Sequence, residues 1–295
     1  MFKNLSPEAL GVSGRQSEMI ELALSFGFKG IDLDIIELAD GAKTHGLPHA
    51  RRLLDSAKLK LGGFTLPARW QVDDETFRTD LAKLPEYASL AAQMGCTRCL
   101  TTIAPANDER PYHQNFEFHR QRLNELAGAL APHGVRLGVG FVASAEARRE
   151  KAFEFVHDLD ALLLLLSTVA AKNVGVVVDL WDLHISHGTL TPLLKGSPER
   201  IVAIRVADAG EAAAEGSTEP ARLLPGESGA IDTAAALVAL AEMGYDGPVT
   251  PAPGPSQTRG LRRDAMVKAA GEKLDVAWKA AGLNAAGKLA VSASR

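Results

Sequence analysis

Eight short apolar runs rich in valine, isoleucine and leucine alternate with eight stretches of helical periodicity, and this alternation constrains the fold more than any other feature of the chain. The runs are Ala9–Val12, Gly30–Leu33, Leu61–Phe64, Cys99–Ile103, Arg136–Phe141, Gly175–Asp179, Val202–Ala207 and Gly247–Thr250. The helical stretches are Gln16–Phe26, Pro48–Ala57, Asp74–Met94, Phe116–Ala131, Asp158–Ala171, Leu190–Leu194, Ala234–Met243 and Arg262–Ala281. Gly27, His133-Gly134 and Gly244 stand where a left-handed residue ends a helix. Strict βα order over eight units predicts an α/β fold of one domain, a closed (β/α)8 TIM barrel. An open doubly wound sheet is disfavoured, because no Gly-x-Gly-x-x-Gly follows the first run. The barrel is expected over residues 1–283, with an Ala/Gly/Ser-rich flexible tail at 284–295. Gly210–Ser228, small, acidic and without periodicity, is expected to be a long loop on the functional rim.

A chain of 295 residues with 46% hydrophobic and 23% charged residues buries a large core, which excludes disorder and disulfide-stapled miniproteins. Lys+Arg 32 against Asp+Glu 36 leaves a net charge of −4 with no basic tract, so no nucleic acid is expected as partner and a small ligand is favoured. A homo-oligomer is allowed. The longest apolar stretch, Ala161–Ala171, is well short of the roughly 20 residues that span a bilayer, so no membrane is expected. The opening MFKNLSPEAL lacks the apolar core of a signal peptide, and two cysteines give no disulfide framework; a cytoplasmic protein is expected. Cys96-Thr-Arg-Cys99 has thiol-redox spacing but precedes a strand, where no helix N-terminus lowers a thiol pKa.

Barrel enzymes carry their chemistry at the C-terminal ends of the strands. There the third run offers Arg69 and Trp70, a pair suited to hydrogen-bonding and stacking on a sugar ring or to rim packing. The fourth offers Thr101 and Thr102, and the fifth Gly140. Asp108-Glu109-Arg110 with Tyr112 and His113 reads as a solvated loop or a polar lid. The sixth run is richest: Asp179, Trp181, Asp182, His184 and His187 fall within nine residues, a spacing that fits either one cation or a helix cap with solvated histidines. Arg205, inside IVAIRVAD, cannot shed its charge and requires an anion, either Asp179 on the adjacent strand or a ligand carboxylate or phosphate.

The stretches ELALSFGFKGIDLDI (21–35), LAAQMGCTRCLTT (90–102), HGVRLGVGF (133–141), VGVVVDLWDLH (174–184), IVAIRVADA (201–209), LPGESGAID (224–232) and GYDGPVTP (244–251) resemble the xylose-isomerase-like TIM barrels, which include sugar phosphate isomerases and epimerases. The resemblance implies one divalent metal, such as Mn, Mg or Zn, held by a Glu, an Asp, a His and a Glu at the ends of strands five to eight. Carried onto this chain, those positions are Gly140, Asp179, Arg205 and Ala252, and the His of the family's DxxH segment falls on Asp182. Only Asp179 matches, so no metal and no other cofactor is expected, with an Asp179–Arg205 pair taking the ion's place.

Three functions follow from these residues. The first is a catalytically silent or strongly diverged sugar isomerase/epimerase relative that retains a carbohydrate-type pocket lined by Arg69, Trp70, Asp179, Trp181, Asp182, His184 and Arg205. The second is an active isomerase, epimerase or lyase, without metal or with a displaced metal built by Asp182, His184 and Asp208, in which Asp182 or His184 carries the proton. The third is a non-catalytic partner of an active homologue.

Overall fold

The structure is a computed structural model that describes residues 1–212 and 219–290. Parallel strands Phe2–Leu5, Gly30–Ile31, Lys60–Leu61 with Phe64–Thr65, Arg98–Thr102, Arg136–Gly140, Val174–Asp179, Ile201–Val206 and Pro248–Pro251 form the first to eighth staves of a closed barrel. The first stave pairs with both the second and the eighth. The third is broken in two. Lys60–Leu61 pairs with the second stave and Phe64–Thr65 with the fourth, and Gly62-Gly63 carries the ladder between them. There Gly62 N–H donates to Ile31 O at 2.9 Å and Gly63 O accepts from Leu33 N–H at 2.8 Å. A Cβ at position 62 would lie 2.3 Å from Asn4 Oδ1 and 2.5 Å from Asp32 Oδ1, so the close approach demands glycine.

Helices α1 (Gln16–Ser25), α2 (Ile35–His45), α3 (Leu47–Ala57), α4 (Asp74–Gln93), α5 (Tyr112–Leu130), α6 (Leu159–Ser167), α7 (Leu180–Ile185), α8 (Thr191–Leu194), α9 (Thr233–Glu242), α10 (Pro255–Thr258) and α11 (Arg263–Ala280) occupy the connections. Aspartates at 73, 158 and 232 cap α4, α6 and α9 by accepting backbone N–H bonds at 2.8 Å each. Strand alternation sorts the core into two layers. Val178 and Ile204 face outward into the large cluster beneath the helices, while Val177 and Ala203 join Leu100 and Val202 in a small plug inside the barrel. Asp179 and Arg205 continue that inward row at the mouth.

Several expectations are corrected. The first strand is Phe2–Leu5; Ala9–Val12 is a turn in which Leu10 N–H donates to Ser6 O and Gly11 has φ 61°. The strand lacks an apolar run because Asn4 is a polar residue buried in the barrel interior. Helix α2 forms where none was expected, started by Asp34 accepting from Glu37 N–H at 2.9 Å. The supposed loop Gly210–Ser228 contains one arm of an antiparallel hairpin, Asp208–Ala212 paired with Pro220–Leu223; its residues 213–218 lie outside the described residues. From the supposed tail, residues 284–290 fold back: Trp278 Nε1–H donates to Asn284 O at 3.0 Å and Leu283 bridges Leu289. Residues 291–295 lie outside the described residues. Among the described residues no helix is long and apolar enough to cross a membrane.

Candidate functional site

The mouth at the C-terminal ends of staves four to seven holds a cavity of about 330 Å³ lined by Thr102, Gly140, Asp179, Trp181, Asp182, Arg205 and Arg222, among others. Its organising group is Arg222, delivered by the second arm of the hairpin. The guanidinium binds the Asp179 carboxylate through Nη2, reaches Asp182 Oδ2 through Nη1 at 3.4 Å, and donates from Nε to the Ala252 carbonyl at the end of the eighth stave. Its Cζ lies over the Trp181 ring, 5.4 Å from the ring centroid. The other carboxylate oxygens are also used. Asp179 Oδ1 accepts from Trp181 N–H at 3.0 Å, capping α7, and Asp182 Oδ1 accepts from Ala143 N–H at 2.8 Å. Both carboxylates are only 8% exposed. Burial, and next the Asp179 charge, push Asp182 up to about 7.

A second cavity, of about 420 Å³, opens over staves one to three and is lined by Ser6, Glu8, Gln16, Asp32, Asp34 and Thr65 with apolar neighbours. Burial pushes Asp32 up to about 6 against the opposing hydrogen bond from Asn4. Asn4 Nδ2 donates to Asp32 Oδ1 at 2.8 Å and to Thr250 Oγ1 at 3.0 Å, and the Thr65 hydroxyl donates to Glu8. This polar floor ties the first, second and eighth staves together.

The structure brings together Asp179, Trp181, Asp182 and Arg205 and disperses the remaining candidates. The expected Asp179–Arg205 pair is replaced: the two residues are register partners on adjacent strands, yet Asp179 pairs with Arg222. Arg205 has no ion pair or side-chain hydrogen bond among the described residues, and attracts Asp32 and Asp182 by longer-range Coulomb interaction. Trp70 is no rim platform. It is 3% exposed, donates from Nε1 to Thr101 Oγ1 at 2.8 Å, and packs edge-on to the buried His119. Arg69 lines neither cavity and holds Asp80 in a two-pronged ion pair at 2.9 and 3.3 Å. His184 and His187 line a separate cavity with Arg148 and Glu219. Asp208 anchors a loop: its carboxylate accepts four backbone N–H bonds, from Ala209, Ser228, Gly229 and Ile231, at 2.7–2.9 Å. Burial would raise this carboxyl, but the four donors outweigh it and hold it below the usual range. In the supposed lid, Lys151 pairs with Asp108 at 2.6 Å, Arg110 stacks 4.0 Å from the Phe118 ring, and Tyr112 and His113 begin α5. Cys96 and Cys99 are buried, which pushes the Cys96 thiol up to about 12 and Cys99 well above its usual value. Among the described residues no three His, Cys, Asp or Glu side chains are grouped to hold a metal ion.

Sequence reasoning missed Arg222 and Asp32. Arg222 gave no signal in an aperiodic segment, whereas Asp32 was readable as a carboxylate inside the run GIDL.

The chain belongs to the xylose isomerase-like TIM barrel family, which its sequence matches over residues 20–270. A xylose isomerase domain protein from Alicyclobacillus acidocaldarius subsp. acidocaldarius superposes with a TM-score of 0.82 at 24% identity, covering 95% of this chain and 99% of the other. An IolI protein with a binding zinc atom gives 0.76 at 17% identity, covering 96% and 98%. The D-psicose 3-epimerase with D-tagatose from Clostridium cellulolyticum H10 gives 0.73 at 13% identity, covering 95% and 99%. At such identities the likeness shows the fold. No curated protein matches the sequence.

Proposed function

We propose that this chain binds a small carbohydrate-type ligand at the barrel mouth, with an Arg222–Asp179–Asp182 bridge standing where metal-dependent relatives hold a divalent cation, and that the family's metal-assisted isomerisation or epimerisation is silent or strongly diverged in it. One observation carries the reading: the Arg222 guanidinium joins both buried carboxylates and the Ala252 carbonyl. This donor set does not suit a divalent cation. The carboxylates that would bind it are already paired with a group that cannot be deprotonated, a second guanidinium faces the same cavity, and Gly140 and Ala252 offer no side-chain donor.

The test is the unfolding midpoint of chelator-treated protein with and without excess Mn²⁺, Mg²⁺ or Zn²⁺. A native-state site at about 100 times its dissociation constant adds about 2.7 kcal/mol, roughly 4 °C for a chain of this size. No shift is expected, and a rise of that order with any of the three ions overturns the proposal.

A second reading has an observation of its own. Asp182, poised near neutrality and facing the cavity, has the proton affinity of an acid/base group that works without a metal. An isomerase or epimerase activity that resists chelation and is abolished by Asp182→Asn would establish it; His184 lines the separate cavity, and the reading assigns the proton to Asp182.

A further inference from the structure

The two arginines of the mouth differ in what they hold. Arg222 spends its donors on Asp179, Asp182 and Ala252 O. Arg205 spends none within the described residues. It stands on the inward face of the seventh stave, between Asp179 on the sixth and Thr250 on the eighth. A half-buried guanidinium keeps its charge at every accessible pH, and leaving it unpaired is costly unless an anion arrives. Trp181, in the same cavity wall, also leaves its buried Nε1–H without an acceptor among the described residues. The wall therefore presents uncommitted donors.

We infer that Arg205 is the anchor for a ligand carboxylate, and that the natural ligand is a polyhydroxylated carboxylic acid rather than a neutral sugar. The inference rests on the carbohydrate-type pocket proposed above and names the class of ligand that fills it. Arg205 offers a planar fork that matches a carboxylate with two parallel hydrogen bonds. One uncommitted cation balances one negative charge; a phosphate, nearly dianionic at neutral pH, would keep a surplus charge beside Asp32 and Asp182. The hydroxylated remainder has groups to meet. Thr102 lies in the same cavity, and Asp32, which feels the Arg205 charge, lines the cavity over staves one to three together with Ser6, Glu8 and Thr65, a mixture of donors and acceptors suited to hydroxyl groups. Arg205 is thus a specificity-determining residue at a position where the family resemblance implies a metal ligand.

The experiment is calorimetric titration of the full chain with D-gluconate, its neutral counterpart D-glucitol, and D-glucose 6-phosphate, in the wild type, Arg205→Met and Arg205→Lys. The expected result is that D-gluconate binds at least about tenfold tighter than D-glucitol, and that Arg205→Met removes this advantage. Arg205→Lys, which keeps the charge but not the fork, should recover part of it. An unchanged unfolding midpoint for Arg205→Met separates a lost contact from a lost fold; should that variant unfold, the comparison of ligands in the wild type and Arg205→Lys still decides. Equal affinity for D-gluconate and D-glucitol in the wild type overturns the carboxylate anchor and leaves the carbohydrate pocket standing. Tighter binding of D-glucose 6-phosphate, lost in Arg205→Met, overturns the assignment to a carboxylate in favour of a phosphate. Silence with all three ligands overturns the pocket and the anchor together.

Discussion

Replacing Arg222 by glutamine removes the one cation paired with two buried carboxylates while keeping a polar side chain in the hairpin. With Asp179 and Asp182 each 8% exposed and Arg222 20% exposed, the pair belongs to the buried class, in which deleting one partner costs about 3–5 kcal/mol. At about 2.1 cal/mol/K per residue, the unfolding entropy of a chain this long is roughly 0.6 kcal/mol/K, so the unfolding midpoint should fall by about 5–8 °C. That figure applies where both carboxylates are ionised, at pH 8. At pH 5 Asp182, with its pKa near 7 even in the presence of Arg222, already carries a proton, and the like-charge repulsion the mutation exposes is largely absent. The drop should therefore be smaller at pH 5 than at pH 8. Scanning calorimetry or circular dichroism at the two pH values measures both. A midpoint unchanged at pH 8, or lowered equally at pH 5 and pH 8, would refute the view that Arg222 is the electrostatic centre of the site.

Asp182 also sets a pH dependence in the unmodified protein. Its folded pKa lies above the ordinary value of 3.8, so its contribution to stability is fully present below about pH 4 and is lost as the pH rises through about 7. Asp182→Asn should flatten that segment of the midpoint-against-pH curve; a variant curve parallel to the wild type from pH 4 to 7 would show that Asp182 does not titrate there. Asp208→Ala deprives four backbone N–H groups of their acceptor and should cost about 2–4 kcal/mol in urea unfolding, since part of the Ser228–Ile231 loop regains water. A loss below about 0.5 kcal/mol would mean that the loop keeps its shape without the anchor.

The parts of the fold readable in the sequence are those in which burial is continuous. The fourth to eighth staves are apolar because they are covered on both faces, and the expected runs match the observed strands to within two residues at their ends. The first three staves break that rule for identifiable reasons. Asn4 puts a polar side chain inside the barrel, Asp32 ends the hydrophobic run after the second stave, and Gly62-Gly63 interrupts the third where Asn4 and Asp32 press against the backbone. The same residues that obscure the strands build the floor of the second cavity.

The site divides along the same line. Asp179, Trp181 and Asp182 were legible because one strand and its following helix place them together, so sequence spacing is spatial spacing. Arg205 was legible as a charge in an apolar run, but its partner could not be read, because strand adjacency brings Asp179 into register without directing its carboxylate. That direction comes from Arg222, 43 residues away in sequence, placed by pairing with Ala209 in a hairpin whose first residue, Asp208, also ties down the loop at Ser228–Ile231. The hairpin thus decides which arginine is satisfied and which is left open. Because Arg222 takes the carboxylates, Arg205 is free for a ligand; were Arg222 withdrawn, Asp179 would have Arg205 as its nearest strand neighbour and the proposed anion anchor would be lost to an internal ion pair. Charge selection at this mouth is therefore a property of the hairpin as much as of the strands beneath it.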